Sequence, residues 1–480
     1  MSYQVPQHID KNKIFIVKRS EIEGRLEPEF YKPSIACLEA KIRSLSSKRL
    51  RDYALSFAGG VTPKKSEGDK YYSDAENGVP FLRVQNLQTT GELSLDGCIY
   101  INENTHNGLL KRSQVSEGDL LIKITGVGRM AIAAVAPKDF VGNTNQHMVV
   151  VKTGNTDVSK YLAHYLNLDI IEKIASRHST GGTRPALDYP SLKNIPIIEG
   201  LDFSLIDDAI KAKQEKDKEA QQLLDSIDSY LLRELGIKLP EYHSDLKNRI
   251  FYIQHKELTN RIDPYYSQQY FKNSFEAICS GKYPVVSLGK LSALITSGIT
   301  PKSGGSAYTE DKINGVPFIR SGNINVSGDL DYNELLYLKP EIHNTIMRSS
   351  QVHTNDIMIA IVGATIGQVG IYLSDRDANI NQAIALVRLK QGIDVQYVKE
   401  LIKSKIGQIS LNRLKRPVAR ANINMEEIAT IQVVVPPLNK QHEIAKRIEE
   451  IRKQTKMLQE QGNAILENAK RAVERMIIGE

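Results

Sequence analysis

The chain contains an internal duplication, because short segments of its first half recur about 237 residues later. The repeated segments are Gly60 to Lys64 (GVTPK) with Gly298 to Lys302 (GITPK), Asn77 to Arg83 with Asn314 to Arg320, RLEPEFY at Arg25 with RIDPYYS at Arg261, Gly118 to Leu120 with Asn355 to Ile357, and Asn145-Gln146 with Asn381-Gln382. This period is far above the roughly 20 to 50 residues of solenoid repeats, so it marks the duplication of a whole domain. Two similar domains on one chain suggest a protein that contacts a roughly two-fold target at two places.

The length and composition are those of a soluble protein with several domains. The chain has 480 residues, of which 41% are hydrophobic and 25% charged, as is ordinary for globular proteins. It has no apolar run of about 18 residues and no apolar signal core near its N-terminus. Its three cysteines are scattered and lack metal-site spacing, which fits reduced thiols. We therefore expect a cytoplasmic protein without a membrane partner.

The charge balance leaves the partner open. Lysine and arginine number 63 against 56 acidic residues, which gives a net charge of +7. This mild basic excess is compatible with a partner that carries phosphates, but it does not identify one.

Each repeat has the pattern of a small α+β domain. In the first repeat, residues 35–48 predict a helix and residues 50–58 a strand. Further short strands are predicted at Pro80 to Val84, Leu120 to Ile124, Ala131 to Val135 and Met148 to Val151. Their spacing and the polar turns between them indicate a mixed, mostly antiparallel sheet. One helix is then predicted from Tyr161 to Arg177 and, in the second repeat, one from Val395 to Leu414.

A long amphipathic helix is predicted after each repeat, near Phe203 to Leu235 and after Pro436-Pro437. Apolar residues alternate in steps of four and three in both, as in the seam of a coiled coil. The seam residues are Ile206, Ile210, Leu224, Ile227 and Leu231 in the first helix, and Ile444, Ile448, Ile451, Leu458, Ile465 and Ala469 in the second. Lys213 and Asp217 interrupt the first seam. We expect the two helices to pair antiparallel; the alternative is that each packs separately or against another chain.

No segment has the pattern of a catalytic site. Asp263 to Tyr266 (DPYY) differs by one residue from the DPPY tetrapeptide of adenine methyltransferases, but LEPEFY occupies the same place in the first repeat. The segment is therefore interpreted as a duplicated structural element. The glycine-rich cofactor loop of such enzymes is lacking, as are a nucleotide-binding P-loop, an HExxH pair and cysteines with zinc spacing. We predict a non-catalytic chain.

Basic and polar residues in the loops are candidates for contact with DNA, because hydroxyl, amide and cationic groups suit phosphate oxygens and base edges. The candidates are Thr62, Lys64, Lys65, Tyr71, Arg83, Asn86, Arg129 and Arg184 in the first repeat, and Thr300, Lys302, Ser303, Tyr308, Arg320, Asn323, Arg413, Lys415, Arg416 and Arg420 in the second. The alternative for the loop residues is a solvated turn. Asn86 and Asn323 can equally bond the backbone of a turn.

The order of these motifs resembles that of the specificity subunits of type I restriction-modification systems. The resemblance rests on the G-[VI]-T-P-K, NGVPF-[LI]-R and N-Q segments of both repeats and on the long helix that follows each. Its most specific part lies within Ala419 to Ile448 and contains I-x-V-x-x-P-P-L-x-x-Q-x-x-I-A. The first repeat departs from this pattern, because residues 186–203 lack the double proline and the glutamine.

The resemblance implies an α+β fold with two similar mixed α/β target recognition domains. Two long helices separate the domains and form an antiparallel coiled coil, so that the whole is pseudo-two-fold. On this basis residues 1–24 are an N-terminal segment, 25–200 and 241–435 are the recognition domains, and 201–240 and 436–480 are the spacer helices. Each domain would read one half of a bipartite, asymmetric site in double-stranded DNA. The helices would fix the gap between the half-sites and dock two adenine methyltransferase subunits.

The same resemblance implies that the chain itself holds no cofactor. S-adenosylmethionine belongs to the methyltransferase partners, and ATP and magnesium belong to the restriction/translocase subunits that join for cleavage in a bacterial or archaeal cell. Two alternatives stay open. One is a scaffold whose coiled coil recruits proteins and whose β domains bind protein. The other is a specificity subunit of a different restriction-like or phage-defence complex.

Overall fold

The structure is a computed structural model that describes residues 9–243, 250–254, 261–302, 304–333, 335–416 and 422–479. The chain packs as two compact units. The first unit consists of Met1–Asp217 with Gln459–Glu480, and the second of Lys218–Leu458. Across the described residues, no helix has both the length and the apolar character needed to cross a membrane.

The strands of the first unit form two sheets. They are β1 (Ser56–Gly59), β2 (Tyr72–Ser73), β3 (Val79–Leu82), β4 (Ile99–Ile101), β5 (Gln114–Ser116), β6 (Leu120–Lys123), β7 (Ala133–Val135), β8 (Val141–Thr144) and β9 (Met148–Lys152). The four-stranded sheet has the order β1-β9-β6-β7 and is antiparallel throughout. The five-stranded sheet has the order β2-β4-β3-β8-β5, in which β3 and β8 are parallel and the other pairs antiparallel.

The second unit repeats this topology. Its strands are β10 (Val285–Ser287), β11 (Ser292–Ser297), β12 (Tyr308–Thr309), β13 (Val316–Ile319), β14 (Leu336–Leu338), β15 (Gln351–Val352), β16 (Ile357–Ala360), β17 (Val369–Ile371), β18 (Ala378–Ile380), β19 (Ile384–Leu389) and β20 (Gln432–Val434). They form the sheets β11-β19-β16-β17 and β12-β14-β13-β18-β15, and β10 pairs with β20. Strands β13 and β18 are the parallel pair. The predicted mixed, mostly antiparallel architecture is confirmed, and the duplication extends to the strand order.

In each unit, one helix predicted from the sequence is two helices in the structure, and several short helices were not predicted. The helices are α1 (Pro33–Leu45), α2 (Gly68–Tyr71), α3 (Glu103–Asn107), α4 (Thr156–Leu166), α5 (Asp169–His178), α6 (Tyr189–Lys193), α7 (Ser204–Leu235), α8 (Gln269–Cys279), α9 (Leu288–Leu291), α10 (Pro340–Asn344), α11 (Val395–Lys403), α12 (Lys405–Leu414), α13 (Met425–Ala429) and α14 (Leu438–Ile478). The single helix predicted from Tyr161 is wrong, because α4 ends before Asn167. Asn167 lies between α4 and α5, and its buried amide binds the N–H and the carbonyl of Ala133 at 3.2 and 2.7 Å, which fixes this break against β7. The second unit has the same break between α11 and α12.

One inner strand of each four-stranded sheet, β6 or β16, is buried on both faces. In β6, Leu120 and Ile122 belong to a core that also contains residues of α4 and α5. Leu121 points to the opposite face and packs with Leu82 of the five-stranded sheet. This alternation follows from the two-residue period of a strand, and it explains why β6 lacks the alternating polar pattern of a half-exposed strand.

At the start of the first domain, the arginine of the repeated motif and a second arginine pack against one aromatic ring, an arrangement that we call the clasp. The guanidinium carbons of Arg25 and Arg177 lie 4.6 and 4.5 Å from the ring centre of Phe30. Arg25 also donates to the backbone carbonyl of His178, at 3.3 Å, and so satisfies the C-terminal end of α5. The motif therefore ties the segment before α1 to the end of α5.

The second unit builds the same clasp from the corresponding residues. The guanidinium carbons of Arg261 and Arg413 lie 4.5 and 4.1 Å from the ring centre of Tyr266. Arg261 donates to the carbonyl of Leu414 at 2.9 Å, at the end of α12. Asp263 accepts from Arg261 at 2.8 Å and from the N–H of Tyr266 at 3.0 Å. The interpretation of the DPYY tetrapeptide as a structural element is confirmed.

Both long helices contribute to the core of each unit. In the first unit, Ile206 of α7 and Val473 of α14 belong to one hydrophobic core. In the second unit, Leu231 of α7 and Ile444 of α14 belong to another. The two long helices predicted near Phe203 to Leu235 and after the double proline are confirmed.

The predicted seam is buried along most of its length and wrong at one position. Its buried members are Ile206, Ile210, Ile227, Leu231, Ile444, Ile448, Ile451 and Leu458, and its half-buried members are Leu224 and Ala469. Ile465 is 37% exposed, whereas its neighbour Leu466 is 2% exposed. A straight helix drifts by about 20° per heptad against a strict seven-residue repeat, so the buried face moves by one residue near the end of α14. Lys213 and Asp217, which interrupt the first seam, form an ion pair of 2.6 Å with each other.

The different exposure of Ile465 and Leu466 allows a test of the seam in which Leu466 replaces Ile465. Leu466→Ala should lower the free energy of unfolding by about 2 to 5 kcal/mol, because it leaves a cavity in the core of the first unit. Ile465→Ala is the matched control and should cost about 0.5 kcal/mol or less, because that side chain meets solvent. Denaturant unfolding of the full chain measures both values. Equal losses in the two variants would contradict the corrected seam.

Candidate nucleic-acid interface

The G-[VI]-T-P-K segments (residues 60–64 and 298–302) pass directly over the ends of β8 and β18. We call each of these two places a crossing. A Cβ atom on Gly60 would lie 1.7 Å from the carbonyl oxygen of Thr144, and one on Gly298 would lie 1.8 Å from that of Ile380. Only glycine allows two backbones to approach so closely. Thr144 and Ile380 end the strands of the parallel pairs, so each crossing fixes the Asn-Gln dipeptide that follows its strand.

These dipeptides, Asn145-Gln146 and Asn381-Gln382, have the same internal contacts in both units. The side-chain oxygen of each asparagine accepts a hydrogen bond from the backbone N–H two residues later in the chain, at 3.0 and 3.2 Å. The glutamine side chain is exposed. The hydroxyl of Thr62 donates to the amide oxygen of Gln146, and the hydroxyl of Thr300 donates in the same way to Gln382. The predicted candidates Thr62 and Thr300 therefore lie at the surface beside an amide group.

The lysines of the crossing segments are exposed and available to bind a ligand. Lys64 and Lys302 are exposed, as is Arg184 in the loop after α5. Within the described part of the chain, none of these three side chains makes a hydrogen bond or an ion pair. They keep the exposure that contact with phosphate requires. The side chain of Lys65, together with Ser303 and Arg420, lies outside the described residues.

The tyrosines near the crossings have two different roles. Tyr308 is half-buried and its hydroxyl donates to the carbonyl of Pro301 at 3.0 Å. Its counterpart is Tyr72, which donates to Pro63 at 2.7 Å, so both tyrosines hold the crossing segment in place. Burial raises the pKa of the Tyr308 hydroxyl. Tyr71 is half-buried and its ring lies under the Lys70 ammonium, 5.0 Å from the ring centre.

The prediction that Asn86 and Asn323 contact DNA is wrong. They are 0% and 4% exposed, and their side-chain oxygens accept from the backbone N–H of Arg83 and Arg320 at 2.8 and 2.9 Å. The amide of Asn86 also donates to the carbonyl of Ser94 at 2.8 Å. Both amides are therefore occupied by the turn that follows β3 or β13, and neither can reach a base edge.

Arg83 and Arg320 begin these turns and are half-buried. The guanidinium of Arg83 donates to the carbonyl of Gly97 at 3.0 Å. This contact joins the end of β3 to the loop before β4. A role of Arg83 and Arg320 at DNA stays a prediction, although Arg83 already has a structural partner.

Arg129 is not available as predicted, because its guanidinium binds Asp169 and the carbonyl of Asn167. Burial raises the pKa of the Asp169 carboxyl, but the hydrogen bond and charge of Arg129 outweigh it, and the pKa is lowered overall. The ion pair lies at the start of α5, where the carboxylate also suits the helix dipole. Arg129 therefore stabilises the break between α4 and α5.

The basic residues after α12 are also largely engaged within the protein. Arg413 stacks in the clasp on Tyr266 and donates to its carbonyl at 3.0 Å, and burial lowers the pKa of its guanidinium. Arg416 forms an ion pair of 2.8 Å with Glu427. Lys415 is half-buried and donates to Asn412 at 2.8 Å. For Arg413 the predicted contact with DNA is corrected to a structural role, whereas for Arg416, whose side chain is 41% exposed, it stays a prediction.

The exposed glutamines Gln146 and Gln382 were not among the predicted site residues. The signal that could have identified them is their identity in both repeats beside the identical Gly-x-Thr-Pro-Lys segments. No metal site accompanies the crossings: within the described residues, no group of three histidine, cysteine, aspartate or glutamate side chains is placed to hold an ion. The arrangement offers hydroxyl, amide and ammonium groups, which can bind a polar ligand.

Comparisons with known proteins assign both repeats to one family. The family model of the type I restriction modification DNA specificity domain matches residues 47–198 and 270–468. The chain is 34% identical over 143 residues to the type I restriction enzyme EcoBI specificity subunit of Escherichia coli. That match spans 30% of this chain and 30% of the relative's length.

Two solved structures are similar over most of the chain. The HsdS subunit from Thermoanaerobacter tengcongensis has 14% sequence identity and a TM-score of 0.34, with 90% of this chain and 94% of that chain covered. The S subunit of a type I restriction-modification system from M. genitalium also has 14% identity and a TM-score of 0.34, with 88% and 95% covered.

Proposed function

The chain belongs to the type I restriction modification DNA specificity family, and on that premise we propose that it reads a bipartite, asymmetric site in double-stranded DNA. Each unit would read one half-site. The observation that carries this proposal is that the family model matches the two repeats separately, residues 47–198 in the first unit and residues 270–468 mostly in the second. The chain would supply recognition and no chemistry of its own, acting in the cytoplasm of a bacterial or archaeal cell.

The surface at the crossings supports two different half-sites. The exposed threonine, lysine and glutamine are the same in both units, which suits a shared mode of contact. The residues that follow differ, because Lys64 to Gly68 reads KKSEG and Lys302 to Ser306 reads KSGGS. A common frame with different loop residues favours two different base sequences, and therefore an asymmetric target.

We propose further that α7 and α14 pair as an antiparallel coiled coil that fixes the gap between the half-sites. In the second unit, Lys440 of α14 forms an ion pair of 2.8 Å with Glu234 of α7. In the first unit, Gly462 of α14 lies against Lys213 and Lys216 of α7, where its Cβ would be 3.3 and 3.4 Å from their side chains. Both contacts fit one antiparallel register. Helices of 32 and 41 residues are about 48 and 62 Å long, enough to span half-sites roughly 34 Å apart.

The proposed partners follow from the family. Two adenine methyltransferase subunits would dock on the long helices and bring S-adenosylmethionine, while restriction/translocase subunits would bring ATP and magnesium. This chain would hold none of these cofactors. The alternative of a protein-binding scaffold makes no use of the exposed lysines and amides at the crossings.

Binding to duplex DNA tests the proposal. The full chain, purified with its co-expressed methyltransferase subunits, should bind random duplex with an affinity whose logarithm falls linearly with the logarithm of the salt concentration. It should bind its target roughly a thousandfold more tightly or better. A scaffold predicts no binding at any salt concentration. A complex that binds all duplexes equally would contradict a specificity function.

A further inference from the structure

Most residues that are identical in the two repeats have a structural reason to be so. Buried examples are Asn143 and Asn379, whose amides bind a backbone carbonyl at 2.9 Å. Asp119 and Asp356 are likewise buried and paired with Lys152 and Arg388, as Asn86 and Asn323 are buried in their turns. The fold alone requires these residues.

Some exposed identical residues, such as Asp74 with Asp311, still close a turn through backbone hydrogen bonds. Three further identical and exposed positions belong to each crossing. They are Thr62, Lys64 and Gln146 in the first unit, and Thr300, Lys302 and Gln382 in the second. The crossing itself needs the glycine, the proline and the buried strand end, but it does not need a long exposed amide. Beyond their bonds to Thr62 and Thr300, the exposed amides of Gln146 and Gln382 are available to a ligand that both units would share.

The backbone around these glutamines is held more firmly than an ordinary surface loop. Gly60 presses against the carbonyl of Thr144, and the Asn145 side chain closes the turn beyond Gln146 at 3.0 Å. The Thr62 hydroxyl donates to the Gln146 amide oxygen and orients the amide. The amide NH2 group lies 3.4 Å from Nε2 of His147 and has a second N–H that can meet a ligand. Oriented amides on a rigid base are the kind of group that can read a base edge.

We propose that Gln146 and Gln382 each read an adenine, through its N6 and N7 edge in the major groove, and that this adenine is common to both half-sites. The proposal rests on the proposed DNA-recognition function. The amide oxygen can accept from the adenine N6 amino group while the amide NH2 donates to N7. Thr62 and Thr300 are positioning residues for the amides, and Lys64 and Lys302 bind the neighbouring phosphates.

The identity of the two glutamines is what makes the shared base the better assignment. If they discriminated between the half-sites, they would differ, as the loop residues after Lys64 and Lys302 do. A contact to phosphate would favour a cationic side chain at this position, and each crossing already has its lysine. A neutral amide adds little to phosphate binding, but it adds a directional pair of donor and acceptor.

The test measures base preference at every position of the target. Full-length variants Gln146→Ala, Gln146→Glu and Gln382→Ala, each in complex with the methyltransferase subunits, are given a randomised duplex library, and the bound sequences are read. Gln146→Ala should relax one adenine position in one half-site by about tenfold or more and leave the other half-site unchanged. Gln382→Ala should do the same to an adenine in the other half-site. Gln146→Glu should shift the preference at its position towards cytosine, because a carboxylate accepts from the cytosine N4 group.

Controls separate this inference from the proposed function. Gln391→Ala changes an exposed glutamine in the turn after β19, away from the crossings and the long helices, and should leave both half-sites intact. Thermal melting of each variant establishes that it is folded. An even loss of affinity for all sequences with a shallower salt dependence would assign Gln146 to a phosphate and overturn the inference, as would an unchanged preference. If the wild-type complex selects no sequence, the proposed function itself fails.

Discussion

Replacing Gly60 with alanine is expected to lower the free energy of unfolding of the first unit by about 3 kcal/mol or more. The new Cβ would lie 1.7 Å from the carbonyl oxygen of Thr144 and 2.9 Å from that of Asn145. Both are backbone atoms, so no side-chain rotation relieves the overlap, and the crossing segment or the end of β8 must move. Gln146 comes directly after Asn145 in the chain, so a shift of this segment would also displace the Gln146 amide. We therefore expect the variant to lose binding to the target duplex as well as stability.

Denaturant unfolding of the full chain measures this effect, with Gly68→Ala as the matched control. Gly68 lies in the same loop region, has helical backbone angles (φ −42°, ψ −65°), and would place its Cβ with no atom within 4 Å. Alanine there should leave stability unchanged or raise it by up to about 1 kcal/mol. Gly298→Ala should repeat the Gly60 effect in the second unit, where the distance to Ile380 is 1.8 Å. Gly60→Ala and Gly68→Ala variants that unfold at the same denaturant concentration would refute the crossing geometry.

Much of the fold could be predicted from the sequence because the signals for its strands and long helices are local. Strand periodicity and turn residues are local signals, and they identified short strands such as β3, β6 and β9. The long helices were predictable because their apolar steps and the double proline at 436–437 are also local. The exposure of Ile465 could not be predicted in this way, because a strict seven-residue pattern does not account for the slow rotation of the buried face along a straight helix.

The candidate site was less predictable, since the same residue type served opposite roles. Asn86 and Gln146 are both amides that recur in the second repeat, yet one is buried in a turn and the other is exposed. Only the packing of distant segments decides between them. The same holds for Arg129, whose partner Asp169 is 40 residues away and gave no local signal.

Replacing Glu39 with glutamine is expected to lower the free energy of unfolding at pH 7 by about 2 kcal/mol. Glu39 is 3% exposed and binds Arg43 at 2.6 Å, Arg177 at 2.5 Å and His178 at 2.9 Å. Burial raises the pKa of its carboxyl, but hydrogen bonds and charges from His178 and Arg43 outweigh burial and lower the pKa to about 2. The glutamine cannot balance the cationic charge, and the clasp of Arg177 on Phe30 loses its anionic partner.

The pH dependence identifies the carboxylate as the cause. Because the folded-state pKa of about 2 lies below the ordinary value of 4.5, this stabilisation is complete above pH 4.5 and is lost as the pH falls towards 2. The difference in unfolding free energy between the wild-type chain and Glu39→Gln should therefore shrink as the pH falls from 4.5 towards 2. Glu29→Gln is the control, since that exposed carboxylate pairs with Lys32 at the surface and should change stability by about 0.5 kcal/mol or less. The second unit has Phe275 at the position of Glu39, where Arg413 stacks at 5.0 Å, so its clasp does without this carboxylate. A loss in Glu39→Gln that stayed the same down to pH 3 would assign the effect to packing, not to charge.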